Sequence, residues 1–290
     1  MRKKASISTI IWIVIFLIGL GVMLYPSFSN WWNTHTQGRV IANYTEAVAR
    51  IDDETYEKML AAAHAYNKQL AETYAPLTNF KEIPDYDQII DVSGTGIMGY
   101  ITIPQINVEL PIYHGTSQEV LNIAVGHLQG SSFPVGGENT HAVLSAHRGL
   151  PSARLFTDLD KLRVGDSFMV TILDEVLTYE VEEILIVKPE EMDKLAIIPG
   201  GDYVTLMTCT PYGVNTHRLL LRSHRIETIY EKAVRISADA IQVDQMLVVP
   251  IIAAPLVVLL FIYWEIDGRR KSKQEHRRSK IRSSKYMLPL

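Results

Sequence analysis

The pattern of hydrophobic and polar residues divides the chain into three kinds of segment. Two uncharged apolar runs of 19 residues, Ile7–Tyr25 and Met246–Trp264, lie near the two ends. A helix needs about 20 such residues to cross a bilayer, so both runs are predicted to be transmembrane helices. Between them, apolar residues recur first at helical spacing and then, from Ile97 onward, in short strand-like runs.

Two amphipathic helices are predicted after the first apolar run. Thr36–Ala49 and a segment that begins at Asp52 or Asp53 both carry apolar residues at helical spacing. An aspartate at that point accepts a hydrogen bond from a free backbone N–H of the first turn and so begins the helix. The two prolines and three glycines within residues 75–99 predict a loop there. We therefore interpret residues 26–91 as a helical arm that ends in a lid-like loop.

Seven short β-rich runs, separated by turn residues, predict strands over Met98–Ile103, Val108–Tyr113, Ala142–Ala146, Ser167–Leu173, Val176–Lys188, Tyr203–Cys209 and Arg218–Ile226. Many short strands at this spacing are typical of a closed or nearly closed β-barrel. Helical patches are expected over Gln118–Val125 and Ala153–Leu162. The predicted fold is mainly β, with the barrel over residues 92–230 and a linker over residues 231–245.

Charge is divided unevenly along the chain. The tails 1–6 and 265–290 are basic, whereas residues 26–245 hold 16 Lys and Arg against 29 Asp and Glu, a net charge of −13. This partition argues against a nucleic-acid-binding protein, which would cluster its basic residues on the folded domain. The positive-inside rule places both tails in the cytoplasm and residues 26–245 outside. A multi-pass membrane protein with an extracellular domain is therefore expected.

The first apolar run has an alternative interpretation as a cleaved signal peptide. Its apolar region is longer than the usual ~7–15 residues, and Ser27–Ser29 is a weak cleavage site. Trp31 and Trp32 after the first run, and Tyr263 and Trp264 at the end of the second, suit the interfaces of a bilayer. An uncleaved anchor is the preferred interpretation.

The single cysteine of the chain, Cys209, ends one strand of a predicted hairpin. Alternation puts Tyr203, Thr205, Met207 and Cys209 on one face, and the returning strand brings Arg218 toward the sulfur. A thiol beside a fixed cation is a candidate nucleophile, although a lone cysteine is more often a small buried hydrophobic residue. One cysteine also excludes an internal disulfide.

A cysteine nucleophile needs a proton partner, and His147 is the best placed by local context. It follows the strand that ends at Ala146 and opens a loop, and the ends of strands are where a barrel presents catalytic groups. The alternation of side chains along a strand does not exclude His141 as the proton partner, because His141 shares a strand face with His147. The histidines that compete for this role are His127, His141, His217 and His224.

Other kinds of site fit the sequence less well. Arg218 offers planar, permanently charged donors to an oxyanion or to a substrate backbone, although it is equally compatible with a surface position on a strand. A zinc site built from Cys209 and histidines lacks the close-paired spacing of zinc ligands, so neither a metal nor a cofactor is expected. Gly94–Gly99 matches the dinucleotide-binding fingerprint by letter, but that fingerprint requires a strand before it and a helix after it.

Two blocks around the candidate residues strongly resemble the sortases of Gram-positive bacteria. They are Ser145–Gly149 and Thr205–Gly213, followed by the pair His217-Arg218, and the resemblance spans roughly residues 96–229. Further segments look like class C, the pilin-polymerising group: Gly126–Leu128, Pro134–Gly137 and Leu155–Asp160. The two apolar runs and the helical arm fit the same class.

The resemblance implies an eight-stranded sortase-type β-barrel with short helices and a catalytic set of His147, Cys209 and Arg218. It implies that the Cys209 thiolate cleaves an LPxTG-like sorting signal between Thr and Gly, and that a pilin lysine amine resolves the thioester. The implied partners are pilin subunits and the membrane. A housekeeping sortase that anchors proteins to the cell wall is the alternative within the family.

Two other classes of protein are considered. A papain-like or caspase-like protease would need its own local cysteine signature, and neither signature is present. A non-enzymatic pilus scaffold or adhesion module would require an inert Cys209.

The lid is the one place where the sequence departs from the family. Class C sortases commonly carry an Asp-Pro-aromatic lid whose ring covers the cysteine. This chain has no Asp-Pro, and its nearest candidate is Pro84-Asp85-Tyr86. Because proline fixes its own φ and restricts the residue before it, the reversal changes where Asp85 and Tyr86 point. We expect a loop that neither residue ties down, and a Cys209 open to thiol reagents.

Overall fold

The computed structural model describes residues 7–228, within which eight strands form a closed β-barrel. The strands are β1 (Ile97–Ile103), β2 (Val108–His114), β3 (Val125–His127), β4 (Thr140–Ser145), β5 (Ser167–Ile172), β6 (Glu175–Val187), β7 (Asp202–Thr210) and β8 (His217–Ile226). Their order around the barrel is β1-β2-β3-β4-β7-β8-β6-β5, and β5 pairs with β1. The predicted barrel is confirmed.

The pairing of β4 with β7 places two distant parts of the sequence side by side. This pair is parallel, with Ser145 aligned to Met207, whereas β7 and β8 form an antiparallel hairpin. Parallel neighbours need a long crossover, and here β5 and β6 supply it. The three strands β4, β7 and β8 therefore form one continuous part of the barrel wall.

Alternate residues of the strands fill the barrel. Leu144 of β4, Leu206 of β7 and Leu221 of β8 are fully buried. Burying a leucine stabilises the folded state by roughly 1.5–3 kcal/mol. The intervening residues face the outside of the barrel, which is the side that carries Cys209.

The structure has four α-helices among the described residues: α1 (Ile7–Val48), α2 (Asp53–Glu72), α3 (Pro76–Asn79) and α4 (Gln118–Leu121). The prediction of an apolar span followed by a separate helix over Thr36–Ala49 was wrong, because α1 is one helix. Pro26 lies inside it, and residues 27–35 contain no glycine or further proline that would end it. The predicted start of α2 is confirmed, because the Asp52 side chain accepts a hydrogen bond from Thr55 N at 2.8 Å.

The chain forms two compact units, whose described parts are residues 7–27 and residues 28–228. The first is the N-terminal part of α1. One helix among the described residues is long and apolar enough to cross a membrane. The tails 1–6 and 265–290, the predicted span Met246–Trp264 and the linker 231–245 lie outside the described residues.

Two helical predictions within the barrel need correction. The patch expected over Gln118–Val125 ends at Leu121, because Val125 starts β3 and pairs with β2. The patch expected over Ala153–Leu162 forms turns and one short 3-10 helix at Leu159–Lys161. A left-handed backbone at Leu155, with φ 40°, is incompatible with a continuous helix there, and the side chain of this residue is buried.

Candidate active site

Cys209 and Arg218 lie directly opposite each other on the antiparallel strands β7 and β8. Residues in that relation project to the same face of the sheet, with Cβ atoms about 4.5–5.5 Å apart. Both side chains are half-buried. The predicted hairpin with a thiol and a guanidinium on one face is confirmed.

His147 follows the end of β4 in a position fixed by hydrogen bonds to β7. The Ala146 N–H donates to Met207 O at 3.2 Å, and Thr208 Oγ1 donates to Ala146 O at 2.8 Å. Carried two residues beyond the pair Ser145–Met207, the same parallel register puts His147 beside Cys209 on the same face. The structure therefore brings the three predicted residues together at one end of β4, β7 and β8.

The environment of His147 favours a neutral imidazole. Burial lowers the pKa of His147 below its ordinary value of 6.5. Its Nε2 lies 3.2 Å from Nε2 of Gln118 in α4, and the amide can donate a hydrogen bond to the unprotonated ring nitrogen. Gln118 is a neighbour of the site that sequence reasoning missed. A neutral imidazole next to a thiol can accept the thiol proton.

The competing histidines have other partners. His127 and His141 are fully buried, and each forms hydrogen bonds through both ring nitrogens. His224 lies further along β8, opposite Tyr203, with Nδ1 3.3 Å from Glu182. His217 is half-buried, and its Nδ1 lies 3.0 Å from Thr216 Oγ1. In residues 7–228 no group of three His, Cys, Asp or Glu could hold a metal ion.

Comparison with known proteins shows which family has this arrangement. The Sortase domain family matches residues 101–226. A crystal structure of sortase C1 from Streptococcus agalactiae is 49% identical, with a TM-score of 0.60, over 66% of this chain and 99% of that one. The chain belongs to the sortase family. Sortase C of Clostridium perfringens SM101 is 43% identical, with a TM-score of 0.56, over 66% of this sortase and 99% of that chain. These neighbours support class C.

Curated relatives match over a shorter region. Sortase A of Streptococcus agalactiae is 33% identical over 117 residues, which cover 39% of this sortase and 47% of the relative. Sortase D of Bacillus subtilis is 32% identical over 114 residues, 54% of its length. This sortase thus spans about half the length of these two curated relatives. Members of the family are cysteine transpeptidases, and the prediction of the family from its motifs is confirmed.

Arg148 is a buried cation that sequence reasoning did not single out. Its guanidinium forms an ion pair with Asp160, lies 5.8 Å from the centre of the Tyr212 ring and is 3.4 Å from Thr210 Oγ1. The side chain is only 9% exposed. Arg148 therefore connects the loop that begins at His147 with the turn that follows the cysteine.

The expectation of an untethered loop at Pro84-Asp85-Tyr86 was wrong. Tyr86 is 3% exposed, its hydroxyl lies 2.8 Å from His127 Nδ1, and it accepts a hydrogen bond from Gly115 N at 2.9 Å. Asp85 is exposed and has a left-handed backbone, with φ 65°. The partners of Tyr86 are distant in sequence, so reading the tripeptide alone could not reveal them. A lid role for Asp85 and Tyr86 stays a prediction.

Leu77 of α3 packs on the side of the sheet that carries the thiol. It packs against a buried apolar cluster that includes Leu220 of β8, and Met207, which is aligned with Leu220 on β7, packs against the same cluster. Met207 precedes Cys209 by two residues and Leu220 follows Arg218 by two, so all four share one face. Leu77 thus joins the apolar cluster on this face, while Cys209 itself is half-buried and its reactivity toward thiol reagents stays a prediction.

A close approach at Gly130 fixes the position of α3. A Cβ on Gly130 would lie 2.8 Å from Pro76 O and 3.0 Å from Leu77 Cα, and the φ of +91° also favours glycine. Any larger residue there must displace α3 or distort the turn at Gly130. Gly130 and Leu77 therefore lie on the two sides of one close contact, and a substitution at either residue should loosen α3.

Loosening α3 should speed the reaction of Cys209 with a small thiol reagent. For Leu77→Ala and for Gly130→Ala we expect an acceleration of about threefold or more, because local opening exposes what a segment covers. Alkylation followed by mass spectrometry at fixed pH measures it, since the thiolate fraction also sets the rate. The control is Thr78→Ala, which changes an exposed residue of α3. Unchanged rates in both variants would mean that α3 does not restrict access.

His127 should make the stability of this sortase pH-dependent. Burial lowers its pKa to about 3, whereas the imidazole of an unfolded chain titrates near 6.5. At a pH between these two pKa values the unfolded state therefore binds more protons than the folded state. The free energy of unfolding should fall as the pH drops below about 6.5. In urea titrations, His127→Gln should reduce this slope by about 1.4 kcal/mol per pH unit. The half-buried His217→Gln is the control, and an equal slope in both variants would contradict the prediction.

Proposed function

We propose that this sortase is a cysteine transpeptidase with Cys209 as its nucleophile. The observation that supports this best is the direct pairing of Cys209 with Arg218, at the end of the sheet where His147 follows β4. The Cys209 thiolate attacks the Thr–Gly carbonyl of an LPxTG-like sorting signal. The C–N bond breaks, a thioester to threonine forms, and the glycine amine leaves with a proton from His147.

Arg218 stabilises this step electrostatically. As the carbonyl becomes tetrahedral, its oxygen becomes negative, and a guanidinium fixed on β8 can donate to that oxygen or hold the threonine end of the signal. The lowered pKa of His147 keeps the imidazole neutral at pH 7. The thiol proton therefore moves to His147 as the sulfur becomes nucleophilic, and the same proton then serves the leaving amine.

In the second step a pilin lysine is the acceptor. Its amine attacks the thioester and gives a proton to His147, an isopeptide bond forms, and the thiol is restored. Sortase C1 of GBS Pilus Island 1 is 40% identical over 67% of this chain, and Clostridium perfringens sortase C has been solved with the C-terminal cell wall sorting motif. These similarities support pilin subunits with C-terminal sorting signals as the substrates, and covalent pili as the product.

Trapping the acyl-enzyme tests the proposal. The full-length chain is incubated with a Leu-Pro-Glu-Thr-Gly peptide and read by intact mass. The expected adduct has the mass of the peptide up to threonine, is released by hydroxylamine and does not form with Cys209→Ala. An adduct that persists in Cys209→Ala, or none in the unmodified chain, would overturn it. Supplying a pilin lysine and a cell-wall precursor amine in competition separates polymerisation from the wall-anchoring alternative.

We also propose a multi-pass topology with both termini in the cytoplasm and residues 26–245 outside. The apolar α1 and the basic tails support it. Protease added to intact protoplasts should digest residues 26–245 and spare a tag placed after Leu290. Loss of that tag without lysis would show that the C-terminus is outside.

A further inference from the structure

The part of α1 that belongs to the barrel unit has two different faces. At helical spacing its polar residues lie on one side and its aromatic residues on the other. The aromatic residues are exposed or stack on one another, and they are Phe28, Trp31, Trp32 and His35. The polar residues each form a hydrogen bond with a backbone atom outside the helix, and they are Ser29, Asn30, Asn33 and Gln37.

Three of these polar residues hold the loop between β4 and β5. Ser29 Oγ and Asn33 Nδ2 both donate to Ser152 O, at 3.0 and 2.7 Å. Asn30 Oδ1 accepts a hydrogen bond from Arg154 N at 2.9 Å. One stretch of loop backbone is therefore fixed at both a carbonyl and an N–H group.

This is the loop that His147 opens. The Phe156 N–H donates to His147 O at 3.2 Å, and the Gly149 N–H donates to Thr157 Oγ1 at 3.1 Å. The loop thus folds back on its own first residues. Because α1 holds residues 152–154 between these contacts, it limits where the backbone of His147 can move.

The fourth polar residue holds the other neighbour of His147. Gln37 is 9% exposed, and its Nε2 donates to Ile123 O at 2.7 Å. Ile123 is the second residue after the end of α4, and Nε2 of Gln118 in α4 lies 3.2 Å from His147 Nε2. α1 therefore fixes both the backbone of His147 and the helix that carries the Gln118 amide in contact with the imidazole.

We propose that Ser29–Gln37 of α1 is a positioning element for His147, a role that rests on the proposed function. These residues act through the loop and through α4, without contact to the reacting atoms. A displacement of a catalytic group by about 1 Å can cost about 10²-fold in rate. The rate of proton transfer in this sortase therefore depends on a helix that continues from its apolar N-terminal segment.

The test uses the full-length chain in detergent, with a quenched fluorescent Leu-Pro-Glu-Thr-Gly peptide and a lysine acceptor. Asn33→Ala/Gln37→Ala should lower kcat about tenfold and change KM less than about twofold, since positioning affects the chemical step. Thermal unfolding of each variant measures the folded fraction, so kcat is corrected for misfolded protein. The matched control is Thr34→Ala/His35→Ala, because both side chains are exposed and have their contacts within α1. Ser29→Ala is a milder variant that leaves Asn33 on the same carbonyl.

A second comparison asks whether Gln37 acts through α4. In a Gln118→Ala background, Gln37→Ala should cost less than in the unmodified chain, because residues in one chain of contacts give non-additive effects. A corrected kcat unchanged in Asn33→Ala/Gln37→Ala, or additive losses at Gln37 and Gln118, would overturn the inference. His147→Ala separates the two hypotheses. If His147→Ala turns over normally, the proposed function is contradicted. If His147→Ala loses turnover but Asn33→Ala/Gln37→Ala does not, only the positioning role is contradicted.

Discussion

Replacing Cys209 with alanine should lower transpeptidation by roughly 10⁴-fold or more, the scale of losing a catalytic nucleophile. Without the sulfur no thioester can form, and His147 and Arg218 have no acyl group on which to act. The barrel should keep its fold, because Cys209 is half-buried on the outer side of the sheet and alanine retains its Cβ. High-molecular-weight pilin ladders should therefore disappear although the protein is present and folded.

The measurement is an immunoblot for pilin ladders in a strain that carries only Cys209→Ala, with thermal unfolding of the purified protein alongside. Val214→Ala is a suitable control, since Val214 is 65% exposed in the turn between β7 and β8. Ladders that persist with Cys209→Ala would remove Cys209 from the mechanism. A lowered melting temperature in this variant alone would point to a structural role for the thiol.

The cysteine hairpin could be predicted because its information is local. The β-branched run before Cys209, the turn residues after it and the strand from Arg218 lie within about two dozen consecutive residues. Strand alternation then assigns faces without any knowledge of the rest of the fold. The register of β7 with β8 agrees with that assignment residue by residue.

The motif around His147 suggested its role, but local sequence could not explain why it lies beside the cysteine. Ala146 and Thr208 are 62 residues apart in sequence, and they meet because β4 and β7 are parallel neighbours joined by a crossover. Strand order around a barrel depends on all the strands at once, which local periodicity does not encode. β3 was missed for the same reason, since three residues become a strand only through their pairing with β2 and β4.

The surroundings of the site were the least predictable part. Leu77 lies close to Gly130 and packs against an apolar cluster that includes Val143 and Leu220, all distant in sequence. The altered tripeptide at Asp85 and Tyr86 suggested a loose loop, because its order of residues gives no information on the distant partners that hold Tyr86. Whether a side chain covers a site depends on its shape and on its packing partner, so no fixed spacing of residues in the sequence predicts it.

Arg218→Lys should lower turnover by about 10²-fold, the scale of losing one oxyanion donor. Nη1 of Arg218 is directed at the carbonyls of Asn215 and His217, at 3.3 and 3.2 Å, which orients the planar group and directs its other donors elsewhere. A lysine keeps the charge but has neither the plane nor the paired donors, so it cannot satisfy those carbonyls and an oxyanion in the same way.

The comparison is made with the quenched fluorescent peptide, at equal amounts of protein shown to be folded by thermal unfolding. Arg222→Lys is the matched control, because Arg222 lies four residues further along the same face of β8 and is paired with Glu182 and Glu183. A loss confined to kcat would mean that Arg218 acts on the transition state, whereas a rise in KM would mean that it holds the sorting signal. Near-normal turnover in Arg218→Lys would reduce the residue to a source of positive charge. In that case the geometry opposite Cys209 would matter less than the sign of the charge placed there.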